Sequence, residues 1–221
     1  MNSTKQLAKA GKHWTWKPLY WILLPLNVIP WTIGLLLSLG DWIMHGNELH
    51  LLNQAEDIEG ADVMLQHGGS SVTIDCAKVS AEDTHRLLSD ASHIQRDLHL
   101  MLIHVTSDIM PLVTRLSGLV DLDISESDIG NVDLLHLGNL SQLDALDVSG
   151  TRVTDDGLRA LASLKSLAWL DLSDTQVTDA GLEHLSGLTH LESIRVQDTN
   201  VTSQAMEQFS NSVSRNVEFV T

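Results

Sequence analysis

The chain has 221 residues, 43% of them hydrophobic, enough for one mid-sized folded domain with an appendage and too apolar to be disordered over most of its length. A single cysteine, Cys76, excludes an internal disulfide framework and a cysteine-built zinc cluster. Charge separates along the chain: residues 1–40 hold four lysines and no acid, whereas all 29 acids lie from Asp41 onward with nine basic residues, a net −20. Such a domain repels phosphate backbones, which argues against a nucleic-acid partner.

Residues 1–18, with Lys5, Lys9, Lys12 and Lys17, read as a basic cytoplasmic N-terminus. Residues 19–40 read as a transmembrane helix. Between Leu19 and Leu39 stand twelve Leu, Ile and Val residues, and a helix of that length reaches roughly 31 Å, the thickness of the hydrocarbon core. Those aliphatics favour insertion by about 6 kcal/mol, more than Asn27, Pro25 and Pro30 oppose it. Five of the six tryptophans lie in or beside the run, and those at its ends, such as Trp16 and Trp42, suit the headgroup interface. Ser38-Leu39-Gly40 also offers the small residues of a cleaved signal peptide, against which stand the length of the run and its central prolines. A buried soluble helix is a third reading, weakened by the lack of a polar face. Both membrane readings place the rest of the chain on the non-cytoplasmic side, because lysines precede the span and acids follow it.

Residues 41–60 mix polar and apolar side chains and read as a juxtamembrane linker or short helix. Then "ADVMLQ" and "SSVTIDC" flank His67-Gly68-Gly69 and alternate apolar with polar, the pattern of a hairpin or of two successive strands. From Leu119 the chain repeats: Leu119, Leu143, Leu167 and Leu191 lie 24 residues apart and open "LVDLDIS", "LDALDVS", "LAWLDLS" and "LESIRVQ". Each is a strand of period two. Each is followed by apolar residues three apart, as in Leu158/Leu161/Leu164, the buried side of a short helix. Leu98 and Leu100 begin a degenerate earlier copy and Ile74 with Cys76 another, about six units in all. At the other end, an interval of 23 rather than 24 would bury Val217 and Phe219 in a shortened last unit.

Within the repeats, Thr154, Thr178 and Thr202 stand where a helix wants an N-cap, with Asp155 and Asp179 at its positive end. Gly157 and Gly181 let neighbouring coils approach. No unit of this size can bury its own core, so stacking is what makes repetition necessary.

The spacing Leu143-x-x-Leu146-x-Val148-x-x-Thr151-x-Val153, repeated from Leu167 to Val177, resembles the leucine-rich repeat family. The Thr-Asp-x-Gly-Leu continuation is similar to its cysteine-containing subclass as found in bacterial proteins. Thr151, Thr175, Thr199 and Ser127 depart from the usual Asn or Cys of the motif, and a hydroxyl can still bond the turn. The resemblance implies an α/β fold over residues 61–221: a right-handed leucine-rich-repeat solenoid with parallel strands on the concave face and short helices on the convex face, preceded by the transmembrane helix.

The repeated motif by itself is scaffolding, so function is sought where the repeats differ. Stacking at about 4.8 Å aligns one expected column as His99, Asp123, Asp147, Asp171 and Arg195. The column before it reads Asp97, Asp121, Ala145, Trp169 and Ser193. Aspartates stacked so closely repel unless water, a cation or a basic partner offsets them, and Trp169 is the one tryptophan outside the N-terminal region. Asp121, Asp123, Asp147, Trp169, Asp171 and Arg195 are therefore the candidate partner-binding residues.

Catalysis has no visible machinery. Among the histidines, His93, His99 and His104 lack helical ligand spacing, and His136 and His184 lie too far apart to share an ion. Cys76 is expected to point into the core, and neither a phosphate-cradling glycine loop nor a serine elbow occurs. The expectation is a membrane-anchored protein-binding module with no cofactor, no metal and no enzymatic activity. It would meet membrane lipid through its span and a protein partner of basic character through the repeats. The alternative is a structural or stabilising subunit of a membrane complex, with the span as its main interface.

Overall fold

The computed structural model describes residues 51, 55, 58–66, 69–94, 97–213 and 217–220. The expected transmembrane helix over residues 19–40, with the basic segment before it, lies outside the described residues. Among those described, no helix is long and apolar enough to cross a membrane.

Eight strands form one sheet in chain order: β1 (Ala61–Gln66), β2 (Gly69–Asp75), β3 (Leu98–Ile103), β4 (Leu119–Asp123), β5 (Ala145–Asp147), β6 (Trp169–Asp171), β7 (Ser193–Arg195) and β8 (Glu218–Val220). β1 and β2 pair antiparallel as the expected hairpin, and every later pair is parallel. Between the parallel strands run α1 (Ala81–Ala91), α2 (Met110–Val113), α3 (Asn131–Leu134) with a 3-10 turn (Leu135–Asn139), α4 (Asp155–Leu161), α5 (Asp179–Leu185) and α6 (Ser203–Ser212). Strand, return helix and strand recur six times, each helix bringing the chain back to the start of the next parallel strand. The result is a leucine-rich-repeat-like solenoid, as the resemblance implies.

The core is a set of aliphatic columns. Leu122, Leu146, Leu170 and Ile194 are successive strand partners and fully buried. They are roofed by the helix rows Leu134/Leu137, Leu158/Leu161 and Leu182/Leu185. In the regular coils the buried strand and helix leucines have aliphatic counterparts one coil away, so each coil supplies apolar surface to both neighbours, as a quasi-one-dimensional array requires. At the N-terminal end Leu51 and Ala55, in the stretch read as a linker, are helical and buried in this same core.

Three expectations need correction. The unit between β3 and β4 is short: Leu100 pairs with Leu122, 22 residues on, and the register slips between Leu98 and His99. The last unit is long rather than short, since Phe219 pairs with Ile194, 25 residues back. Val217 is buried as expected, but Phe219 is half-buried and meets Phe209 edge-to-face at 5.9 Å. Cys76 is half-buried rather than fully enclosed.

Candidate functional site

The repeated Thr-Asp-x-Gly motif shows how the coils are fastened, and it does more than cap helices. Thr178 donates its backbone N–H to Asp155 Oδ1 at 2.8 Å and its hydroxyl to Asp155 Oδ2 at 2.7 Å, one coil back. Thr202 repeats both bonds to Asp179, at 2.6 and 2.9 Å. One coil earlier Asn131 stands in for the aspartate. Its Oδ1 accepts from the Thr154 N–H at 2.9 Å and its Nδ2 donates to the Thr154 hydroxyl at 2.8 Å. Thr178 and Thr202 also accept from the helix N–H groups of Ala180 and Ala205, whereas Thr154 makes no such cap. Glycine follows because the gripping side chain, amide or carboxylate, passes over it: a Cβ on Gly157 would lie 2.7 Å from Asn131 Oδ1, and one on Gly181 would strike Asp155 Oδ1.

Thr151, Thr175 and Thr199 bond within their own turns, donating to Val148, Leu172 and Val196 carbonyls at 2.6, 2.5 and 2.7 Å. Ser127 alone reaches another coil, accepting from the Val105 N–H at 3.0 Å.

With the scaffold accounted for, the open face of the sheet carries two columns of side chains. The slip at Leu98 and His99 shifts their membership from what an unbroken 24-residue period gives. One column reads Ser71, His99, Asp121, Ala145, Trp169, Ser193 and Glu218; the other reads Thr73, Met101, Asp123, Asp147, Asp171, Arg195 and Val220. Asp97 is in neither, and His99 stands beside Asp121, its Nδ1 3.2 Å from Asp121 Oδ2.

Each aspartate of the second column holds its own turn. Asp123, Asp147 and Asp171 accept through Oδ1 from the backbone N–H of Ser125, Ser149 and Ser173, at 3.0, 2.9 and 2.8 Å. The signal stood in the sequence as Asp-x-Ser repeated three times, and reasoning from stacked charge alone passed over it. These bonds spend one oxygen of each carboxylate and leave the other to the open face.

What meets that second oxygen differs along the column. Asp171, only 3% exposed, receives Arg195 Nη1 at 3.2 Å, and the same guanidinium lies 5.7 Å from the centre of the Trp169 ring. Among the described residues no cation pairs with Asp123 or Asp147. Burial pushes the Asp147 carboxyl above its ordinary value, and the nearby charges of Asp171 and Asp123 push the same way against the bonds from Ser149.

A groove of about 300 Å³ opens here, lined by Asp121, Asp123, Asp147, Trp169, His99, Met101, Leu100, Ser71 and Thr73. Four of the six candidate residues thus meet at one depression. The other two, Asp171 and Arg195, pair with each other beside it. Ser71, Thr73, Leu100 and Met101 are lining residues that the sequence reading did not place here; Met101, 42% exposed, enters because the shifted register brings it into the aspartate column.

A second polar cluster sits at the end of β2. Asp75 accepts from Lys78 Nζ at 2.8 Å and from the Ala77 N–H at 3.1 Å, and lies 3.0 Å from His104 Nδ1. The Lys78 and His104 bonds hold its carboxyl down at about 2. Burial, with the charges of Asp75 and Asp108, drives the neighbouring Cys76 thiol up to about 11. That thiol stays protonated at neutral pH and is a poor nucleophile. Among the described residues no group of three or more His, Cys, Asp or Glu side chains is placed to hold a metal ion.

Parallel strands stacked coil on coil, short return helices and a binding-sized depression on the sheet face define a leucine-rich-repeat solenoid. Residues 142–162 and 164–186 match the family model for the leucine-rich repeat. No curated protein matches the chain.

Solved structures similar to it include a leucine-rich-repeat protein of Leptospira interrogans, 17% identical over 60% of this chain and 33% of that one, with a TM-score of 0.43. Internalin InlF of Listeria monocytogenes is 21% identical over 59% of this chain and 43% of its own, at a TM-score of 0.38. Internalin C2 of the same organism is 16% identical over 64% and 84%, at 0.41. The chain spans less than half the length of the first two.

Proposed function

We propose that the chain is a membrane-anchored, non-catalytic protein-binding module whose open sheet face takes a partner of basic character. One observation carries this reading: Asp123 and Asp147 face a groove beside Trp169 with no cation of the described residues on them. The charge of −20 beyond residue 40 would draw a basic partner toward that face. Leucine-rich repeats serve widely as protein-interaction surfaces, and the groove suits that use. Anchorage rests on the apolar run at residues 19–40, and the lysines before it with the acids after it favour a cytoplasmic N-terminus and non-cytoplasmic repeats.

The full chain, solubilised from membranes, would be tested against its captured partner over a salt series. Binding should weaken steeply with salt, and Asp123→Asn with Asp147→Asn should weaken it further. Both variants should keep their stability, because an asparagine Oδ1 can still accept from Ser125 or Ser149. Capture that depends on the N-terminal span alone would overturn this reading in favour of a structural subunit of a membrane complex. Protease outside intact cells should remove the repeats and spare a tag at Met1; protected repeats would refute the topology.

A further inference from the structure

The open face holds one cation already, and the way it holds it says what kind of cation fits the groove beside it. Arg195 reaches back one coil, sets Nη1 3.2 Å from Asp171 Oδ2 and brings its guanidinium to 5.7 Å from the Trp169 ring. Asp147 is the strand partner of Asp171, it closes its turn by the same bond to a serine N–H, and Trp169 lines the groove that Asp147 lines. The Asp147 position therefore repeats the carboxylate half of the Arg195 seat and shares its aromatic ring. Its strand neighbour in the other column is Ala145, too small to fill the space.

We infer that the groove takes an arginine side chain presented by the partner, and that Arg195 occupies the adjoining seat of the same kind from within the chain. This rests on the open face being the binding surface. The chemistry favours arginine over lysine. A planar guanidinium can lie against an indole while its edge donates to a carboxylate, whereas an ammonium is a compact, strongly hydrated charge that does not do both at once. Asp147 is poised for such a guest, since it is held partly out of water between two like charges, and a guest cation would relieve both costs. Arg195 also makes the seats unequal: Asp171 is covered and Asp147 is open, so a partner is read at one position rather than along the whole column.

The test uses the full chain in detergent micelles and three labelled peptides, alternating glycine with arginine, lysine or glutamine, titrated at low salt. The arginine peptide should bind about tenfold or more tighter than the lysine peptide, and the glutamine peptide should not bind. Trp169→Ala should erase the preference for arginine, and Asp147→Asn should weaken the arginine peptide most. Arg195→Gln vacates the second seat and should raise arginine-peptide affinity severalfold. If that variant does not fold, Arg195→Lys, which keeps the charge beside Asp171 but loses the flat contact with Trp169, should give a smaller gain. Equal binding of arginine and lysine peptides, both lowered by Asp147→Asn, would overturn the inference and leave an acidic binding surface standing. No binding of either basic peptide would overturn both. Unchanged affinity in the Arg195 variants would show that its seat is not one the partner can use.

Discussion

The coils from β5 to β7 and those from β2 to β4 are built on different terms. In the first group the strand partners lie 24 residues apart, and Thr-Asp-x-Gly fastens successive coils by paired bonds. In the second, Val72 pairs with Leu100 after 28 residues and Leu100 with Leu122 after 22, and the coils are held by unrelated devices: Asp75 with Lys78 and His104, and Ser127 with Val105. Regularity secures the frame, and irregularity shapes the surface. The groove lies across the two groups, and it exists in this form because the slip at Leu98 and His99 sets Met101 rather than His99 in line with the aspartates.

The comparison breaks most sharply at the glycines. In most helices Gly→Ala gains about 1 kcal/mol. Gly181→Ala should instead cost about 2–3 kcal/mol in a denaturant titration, because its Cβ would strike Asp155 and lie 3.0 Å from Leu158 and Val177. Gly130→Ala, whose Cβ meets nothing nearer than 4.0 Å, should change stability by a few tenths.

Asp155→Ala comes next. It strips two charge-assisted bonds from Thr178 and leaves a part-buried N–H without its partner, a loss of about 2 kcal/mol. Asp155→Asn should cost much less, since Asn131 already makes the same pair of bonds to Thr154. Equal losses from both substitutions would show that charge, rather than geometry, fastens the coils.

Acid titration of stability separates the two regions by sign. The Asp75 carboxyl sits at about 2 against an ordinary 3.8, so its folded-state bonds stabilise the N-terminal coils above about pH 4 and are lost as pH falls toward 2. Asp147 runs the other way. Its raised value means that its favourable contribution is present in acid and lost as pH rises through the folded-state value. Asp75→Asn should flatten the acid limb of the stability profile, and Asp147→Asn should remove the opposing slope; profiles unchanged in both variants would refute the assignment.

A smaller gain belongs to the turns after β3 to β7. His104, Glu126, Gly150, Asp174 and Asp198 occupy equivalent left-handed positions, with φ between 51° and 65°. Glutamate tolerates this region less well than Asp or Gly. Glu126→Gly should gain about 0.5–1 kcal/mol in thermal or denaturant midpoint, and a loss would mean that the Glu126 carboxylate, which folds over Gly150, supports the next coil.

Strands, helices and core leucines were legible because burial imposes the same side chains at the same phase in every coil. The columns on the open face were legible only where the period is unbroken: Asp123, Asp147 and Asp171 aligned correctly, and His99 was two residues out of place. Thr154 and Asp155 read as a cap and its favourable neighbour, since both types suit a helix start, and the bonds between coils are long-range facts that no local preference encodes. Arg195 was placed in its column, but its reach back to Asp171 and Trp169 depends on a flexible side chain choosing among partners after the sheet has formed.

The links between coils point one way. Each acid or amide at the start of a helix grips the threonine of the coil that follows, from Asn131 to Thr154, Asp155 to Thr178 and Asp179 to Thr202. After Thr202 the gripping position holds Ser203, whose side chain is one carbon shorter and carries a single oxygen. A duplicated 24-residue copy inserted between Asp155 and Thr178 would inherit a grip for the coil ahead and a threonine for the coil behind, so the ladder can lengthen from within. A copy added beyond Ser203 would lack this grip and depend on strand pairing and apolar contact, as β8 does on β7. Among the described residues Asn131 and Asp179 are thus the first and last grips of this ladder, and the stretch between them is where it can grow.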